Sequence, residues 1–338
     1  MENDRIMFIR STKKCLVMKI LLYVFALLCT TAYAQENSYY YANLSYAVDK
    51  LGFKPLADSL MDHFFELQNY KNVQARLFVK SFTLKSQLKQ KRKSLYRLHL
   101  AVQNGADSVY IIKQIRREKL ADSTSLITFL RKNYRSDRII HLEKRNETAI
   151  YMITELNAMD QGIRKIVDSN IPNVDKDCIA SIALHNTGIL YSYFYDYLQN
   201  YPFPSVDEVG YKAIDDISTY TLHFGSELDT AFTFLDKVLK NAIKNKGYIP
   251  GYYAVFVDFH RRKIGLNDYY GNEMFKRNED DSFSYFQIDD ISTVDSRRAE
   301  IGLAPLYFHA NHWNMKLPEG YSFDLEKFLA DLRREIKN

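Results

Sequence analysis

Between residues 38 and 135, apolar positions recur every three or four residues, the spacing that brings them onto one side of an α-helix. In "YYYANLSYAVDKLGFKPLADSLMDHFFEL", Leu56, Leu60, Phe64 and Leu67 form one such face. Gly52 divides the stretch into two helices, and Pro55 falls in the first turn of the second, where its missing N–H goes unused. Residues 73–102 continue as one or two helices, and residues 105–132 as a short pair with Ser123 as a cap. The series of hairpins is repeat-like, but it carries no 34-residue self-similarity and is not read as a tetratricopeptide array.

Further along, "RIIHLEKRNETAIYMITELNAMDQGIRKIV" predicts a long helix over 138–170, then a loop over 170–177 and a helix beginning "CIASIALHNTGILYSYFYDYLQ". "NYPFPSVDEVG" is the clearest connector. Ser226 and Asp229 have capping-box spacing ahead of Leu228, Ala231, Leu235, Leu239 and Ala242, with Gly247 closing that helix. Residues 252–259, "YYAVFVDF", are rich in β-formers yet also fit a helical face, so periodicity leaves both open. "GNEMFKRNEDDSFSYFQI" alternates around a polar turn and predicts a hairpin. A last amphipathic helix starts at Ser322 or Asp324. The expected fold is mainly α: N-terminal helical hairpins over 35–135, a helical domain with a small β-hairpin over 138–315, and a C-terminal helix over 316–338.

The first 34 residues read as an address. Lys13, Lys14 and Lys19 precede the apolar run "ILLYVFALLC", too short to span a bilayer, and Ala32-Tyr33-Ala34 offers an A-x-A cleavage site. Met18 is a second candidate start. The expectation is export to the periplasm or the extracellular space, with cleavage after Ala34 and no stable membrane span afterwards. This changes the charge picture. Removing residues 1–34 takes away five Lys/Arg and two Asp/Glu, so a net charge of +5 falls to about +2 and gives no argument for nucleic acid. Cys15 and Cys29 leave too. Cys178 then stands alone, excluding an intrachain disulfide, and its apolar flank predicts burial. The basic run Lys85 to Arg97 is read as a solvated helix face whose buried side is Leu88, Leu95 and Leu98.

Few residues carry candidate chemistry. "IDDISTVDSRRAEIGLAPL" places Asp295 as a helix N-cap with Arg297 and Arg298 in the first turn, against the positive end of the helix dipole. Either an ion-pair network with Asp289, Asp290 and Asp295 or an anionic ligand on the guanidinium groups would offset that. Asp258 lies in an apolar run and, if buried, needs a partner or a proton; Arg164, Arg297 and Arg298 are the candidates. Asp258 with His223 would form a general acid/base couple. Asp160 and Arg164 are an i,i+4 pair, with Gln161 polar beside them. His309-x-x-His312 lacks an acidic residue at a helpful offset, so neither metal nor cofactor is expected. No Gly-rich phosphate loop, G-x-S-x-G or Cys–His signature occurs. Tyrosine clusters such as "SYYYA" suit a carbohydrate- or peptide-facing surface, and equally helix packing.

From about 150 to 310 the chain resembles an uncharacterised bacterial family, a domain of unknown function. The resemblance rests on the order of "MDQGIR", "PFPSVDEVG", His223, Asp258, Tyr270-Gly271 and "DISTVDSRRAEIGLAPL". Asn272-Glu273 stands where that pattern has Thr-Gln, and Asn267 and Asp268 lie near the place of a Gln before Tyr-Gly. The resemblance implies a mainly helical domain and supplies positions without roles. Candidate ligand contacts are Gln161, Arg164, Tyr270, Asp295, Arg297 and Arg298; the candidate catalytic pair is His223 and Asp258. Two functions fit: an envelope protein binding an anionic small molecule, glycan or peptide, with a protein partner on the N-terminal helices, or a metal-independent hydrolase or lyase.

Overall fold

The computed structural model describes residues 38–71, 73–168, 175–245, 247–273, 276–277 and 283–336. The signal segment and its cleavage site lie outside these residues, as do most of the loop expected at 170–177 and the turn of the hairpin. Among the described residues the protein is mainly α, with fourteen α-helices and one pair of two-residue strands. No described helix is long and apolar enough to cross a membrane.

The first six helices are α1 (Tyr39–Lys50), α2 (Lys54–Gln68), α3 (Ala75–Gln87), α4 (Lys91–Gln103), α5 (Ser108–Arg117) and α6 (Ser123–Glu143). They bury one apolar core containing Tyr41, Leu60, Phe64, Phe78 and Phe82. The "SYYYA" tyrosines are packing residues here: Tyr39, Tyr40 and Tyr41 are all buried. The last helix, α14 (Leu325–Glu335), returns to this layer through Leu329 and Leu332, and Tyr41 Oη donates to Glu335 at 2.6 Å. Its start is Asp324, whose carboxylate accepts from Lys327 N–H.

The basic run is a solvated face only in part: Lys89, Lys91, Arg92 and Lys93 are exposed, whereas Lys85 and Arg97 are buried. It is split by a turn with Lys89 in the left-handed region, between α3 and α4. Lys85 is 1% exposed and donates to Asp58 at 2.9 Å and Asp62 at 2.8 Å. Arg97 donates to Asp62 and lies over the Phe65 ring. Two carboxylates on α2 draw these cations inward, a pairing that charge counting along one helix does not reveal.

The second core is built by α7 (Glu147–Asp168), α8 (Lys176–Asn200), α9 (Val206–Glu227), α10 (Asp229–Lys244) and α11 (Pro250–Lys263). The long helix expected from 138 is two helices: the first stops at Glu143 and Asn146 caps the next, its Oδ1 accepting from Ala149 N–H at 3.0 Å. Residues 252–259 are helical. Ser226 lies in the last turn of α9, and α10 begins after Leu228, so the expected capping box is displaced. A real one occurs at Ser205, whose N–H and hydroxyl both donate to Glu208. Helices α9 and α11 cross at Gly225, where any Cβ would collide with the Phe256 ring, and His260 Nδ1 sits 2.9 Å from Gly225 O. The start of α8 is apolar on every side but covered on few. Cys178, expected to be buried, is exposed along with Ile182 and Leu184.

The remaining elements are short. Strands β1 (Lys276–Arg277) and β2 (Phe283–Ser284) pair antiparallel. A 3-10 turn (Ile291–Thr293) leads into α12 (Val294–Glu300), followed by α13 (Leu306–Trp313). A small cluster of Ile288, Val294 and Leu306 anchors them.

Candidate functional site

The most constrained segment is the loop 268–272. Asp258, on α11, is fully buried, and its carboxylate accepts from Tyr269 N–H (2.7 Å), Tyr270 N–H (2.8 Å) and Asn272 N–H (3.0 Å). The carbonyls of the same loop go the other way. Arg297 Nε donates to Tyr269 O at 2.8 Å, and Arg298 Nη1 donates to Tyr270 O at 2.8 Å and Gly271 O at 3.4 Å. Gly271 has φ +59, and a Cβ there would strike Ile288, so only glycine fits this tight point. One carboxylate and two guanidinium groups thus hold four residues of backbone from both sides. Burial pushes the Asp258 carboxyl up, while the three amides and the Arg298 charge oppose that rise.

This geometry corrects the reading of "VDSRR". Asp295 is not the N-cap, which is Thr293, and the arginines fall in the last turn of the seven-residue α12. There the helix dipole favours a cation, so no unfavourable term needs offsetting. Nor do the expected carboxylates receive the arginines. Arg297 also donates to the main-chain oxygens of Asp289 and Asp290 and lies 4.6 Å from the Tyr269 ring centroid, and Arg298 Nε donates to Ala304 O. The Asp289 carboxylate pairs with Arg261, and that of Asp290 accepts from Ser292 and Thr293. Asp295 holds the next helix, accepting from Leu306 N–H at 2.7 Å and Tyr321 Oη at 2.8 Å. With Arg297 7% and Arg298 2% exposed, the guanidinium groups serve the loop rather than open solvent.

His223 and Asp258 do not meet. His223 Nδ1 lies 2.7 Å from the carboxylate of Asp160, which is 2% exposed. Asp160 also accepts from Gln161 Nε2 (2.8 Å) and Arg164 Nε (3.0 Å). Arg164 continues to Glu227 (2.8 Å) and Thr187 Oγ1 (3.3 Å), tying α7 to α8 and α9. Burial works against the Asp160 charge, but the His223 contact, Arg164 and Gln161 outweigh it and hold the carboxyl below its usual range. The expected Asp160–Arg164 pair is therefore present as one edge of a larger network. Over it lies a cleft of about 580 Å³, lined by Arg164, His223 and Glu227, by Ala180, Ala183 and Leu184 of α8, and by Lys263 at the end of α11. Lys263 is exposed and has no ion pair among the described residues.

Glu227, Thr187 and Lys263 join this site without any motif in the sequence to mark them. Glu227 was findable, four residues beyond His223 on the same helix face; Thr187 and Lys263 come from other elements, and no spacing points to them. The two histidines of His309-x-x-His312 are spent separately, His309 on Tyr285 Oη and His312 on Lys50. Among the described residues no group of three or more His, Cys, Asp or Glu could hold a metal. No family model matches the chain, and neither a curated protein nor a solved structure matches it.

Asp268 supplies a pH test. It is fully buried, its Oδ1 has no hydrogen-bond partner among the described residues, and Oδ2 lies 3.5 Å from Arg262. Burial and the Asp258 charge push its carboxyl up to about 7, against the pull of Arg262 and Arg261. The folded state therefore binds this proton more tightly than the unfolded chain, and stability falls as pH rises from the usual carboxylate value towards 7. Melting temperatures between pH 4.5 and 7.5 should fall with rising pH in the native sequence and flatten in Asp268→Asn. Parallel profiles would show that Asp268 does not carry this proton.

Proposed function

We propose that the protein is an exported envelope protein that binds a small anionic ligand, a carboxylate or phosphate, in the cleft over Asp160 and His223. The observation that carries this reading is the convergence of the network around buried Asp160 on a cleft whose mouth holds Lys263, a cation with no ion pair among the described residues. Asp160 fixes the His223 ring, Glu227 fixes the Arg164 fork, and the arrangement is set before any ligand arrives. A wall of Ala180, Ala183 and Leu184 suits a ligand with a small apolar part beside its charge. In this reading Tyr270, Asp295, Arg297 and Arg298 build the neighbouring structure and do not touch the ligand.

The Nδ1 contact favours a second reading. A histidine held through Nδ1 by a buried carboxylate is oriented for proton transfer, so His223 would act as the acid/base group with Asp160 as its positioning residue. The pair that matters is then Asp160–His223, in place of Asp258–His223.

Calorimetric titration with a panel of small carboxylates and phosphates tests the binding reading. Lys263→Met should leave the melting temperature unchanged and weaken the best ligand about fivefold, the size of one partly solvated charge contact. Equal affinity in both proteins, or no binding by any member of the panel, contradicts it. Export rests on the sequence of residues 1–34 and has its own test. Mass spectrometry of the protein recovered from its native cells should find Gln35 at the N-terminus; Met1 or Met18 there would contradict cleavage.

A further inference from the structure

A second cavity, about 680 Å³, lies between α10, α11 and the clamped loop, and shares no lining residue with the Asp160–His223 cleft. Its volume is that of a small-molecule site. One wall is Tyr269 and Tyr270, the residues whose backbone Asp258, Arg297 and Arg298 hold. Buried charges that grip a loop through its backbone give position at a cost in desolvation, and the side chains so positioned face this cavity. Much of the remaining lining is aliphatic, with Ile264 and Leu266 exposed at the rim.

Its charged groups divide into two kinds. Asp236 accepts from Lys240 at 2.9 Å and from Tyr253 Oη at 2.6 Å; Arg261 donates to Asn267 O and Asp289; His260 is bonded to Gly225 O. Those groups are internally matched. Lys244, on α10, and Glu300, at the end of α12, also line the cavity, and neither side chain has a hydrogen bond or ion pair among the described residues. A simple anion would suit Lys244 but face Glu300, and a simple cation the reverse. A ligand with one charge of each sign and an apolar body satisfies both.

We propose that this cavity binds an apolar amino acid or short peptide, its carboxylate toward Lys244, its ammonium toward Glu300 and its side chains against the aliphatic and tyrosine wall. Calorimetric titration of the full chain with leucyl-leucine, its N-acetyl and C-terminal amide derivatives, and glycyl-glycine tests this. Leucyl-leucine should bind, blocking either terminus should weaken it about fivefold, and glycyl-glycine should give no signal at the same concentrations. Lys244→Met should abolish the penalty for the amide only, and Glu300→Gln the penalty for the acetyl group only. Both side chains are exposed, so the folded state is kept. His223→Gln should change nothing here, which separates this site from the first cleft. The proposal is overturned if leucyl-leucine does not bind, if its blocked forms bind equally, if glycyl-glycine binds as well, or if His223→Gln removes binding.

Discussion

A carboxylate cut off from water must be given hydrogen bonds by the protein, and in this molecule Asp258 takes them from the amides of Tyr269, Tyr270 and Asn272. The same loop's carbonyls satisfy Arg297 and Arg298, which are nearly as deeply buried. Backbone and side-chain charges thus solve one another's burial problem. Leaving any of the three unpartnered would strand a charge in the interior, where the loss is on the order of 3–5 kcal/mol. Residues 269–272 are thus gripped through amides and carbonyls alike, although they belong to no helix or strand.

Both cavities draw lining residues from α11, which crosses α9. Gly225 lets the Phe256 ring approach, and His260 closes the contact through Gly225 O. His223 lies two residues before that crossing on one helix, and Asp258 two residues after it on the other. The crossing therefore fixes the Asp160–His223 network and the Asp258 clamp together while keeping their polar groups apart. Lys263 at the end of α11 reaches the first cleft, and Tyr253 and Arg261 of the same helix line the second.

The helical hairpins were legible in the sequence because α1 and α2 present one apolar face and meet at a glycine. Residues 252–259 were not, since α11 buries more than one side and looks alike in either period. The start of α8 is ambiguous for a related reason: its apolar residues do not say which side is covered, and Cys178 lies on an exposed one. At the site, the i,i+4 pair Asp160–Arg164 was readable, but His223 stands 63 residues from Asp160 and nothing in the spacing joins them. The arginines of "VDSRR" stand out in the sequence, but their partners do not. Main-chain carbonyls leave no signature in a sequence, whereas Asp289, Asp290 and Asp295 are visible and nearby.

Native-state hydrogen exchange at the amides of Tyr269, Tyr270 and Asn272 tests the clamp most directly. If Asp258, Arg297 and Arg298 hold this loop as described, the three amides exchange only with the opening that exposes the α9–α11 core, and Arg298→Lys lowers their protection ahead of that core. Exchange at the rate of an exposed turn in the native sequence would contradict the account.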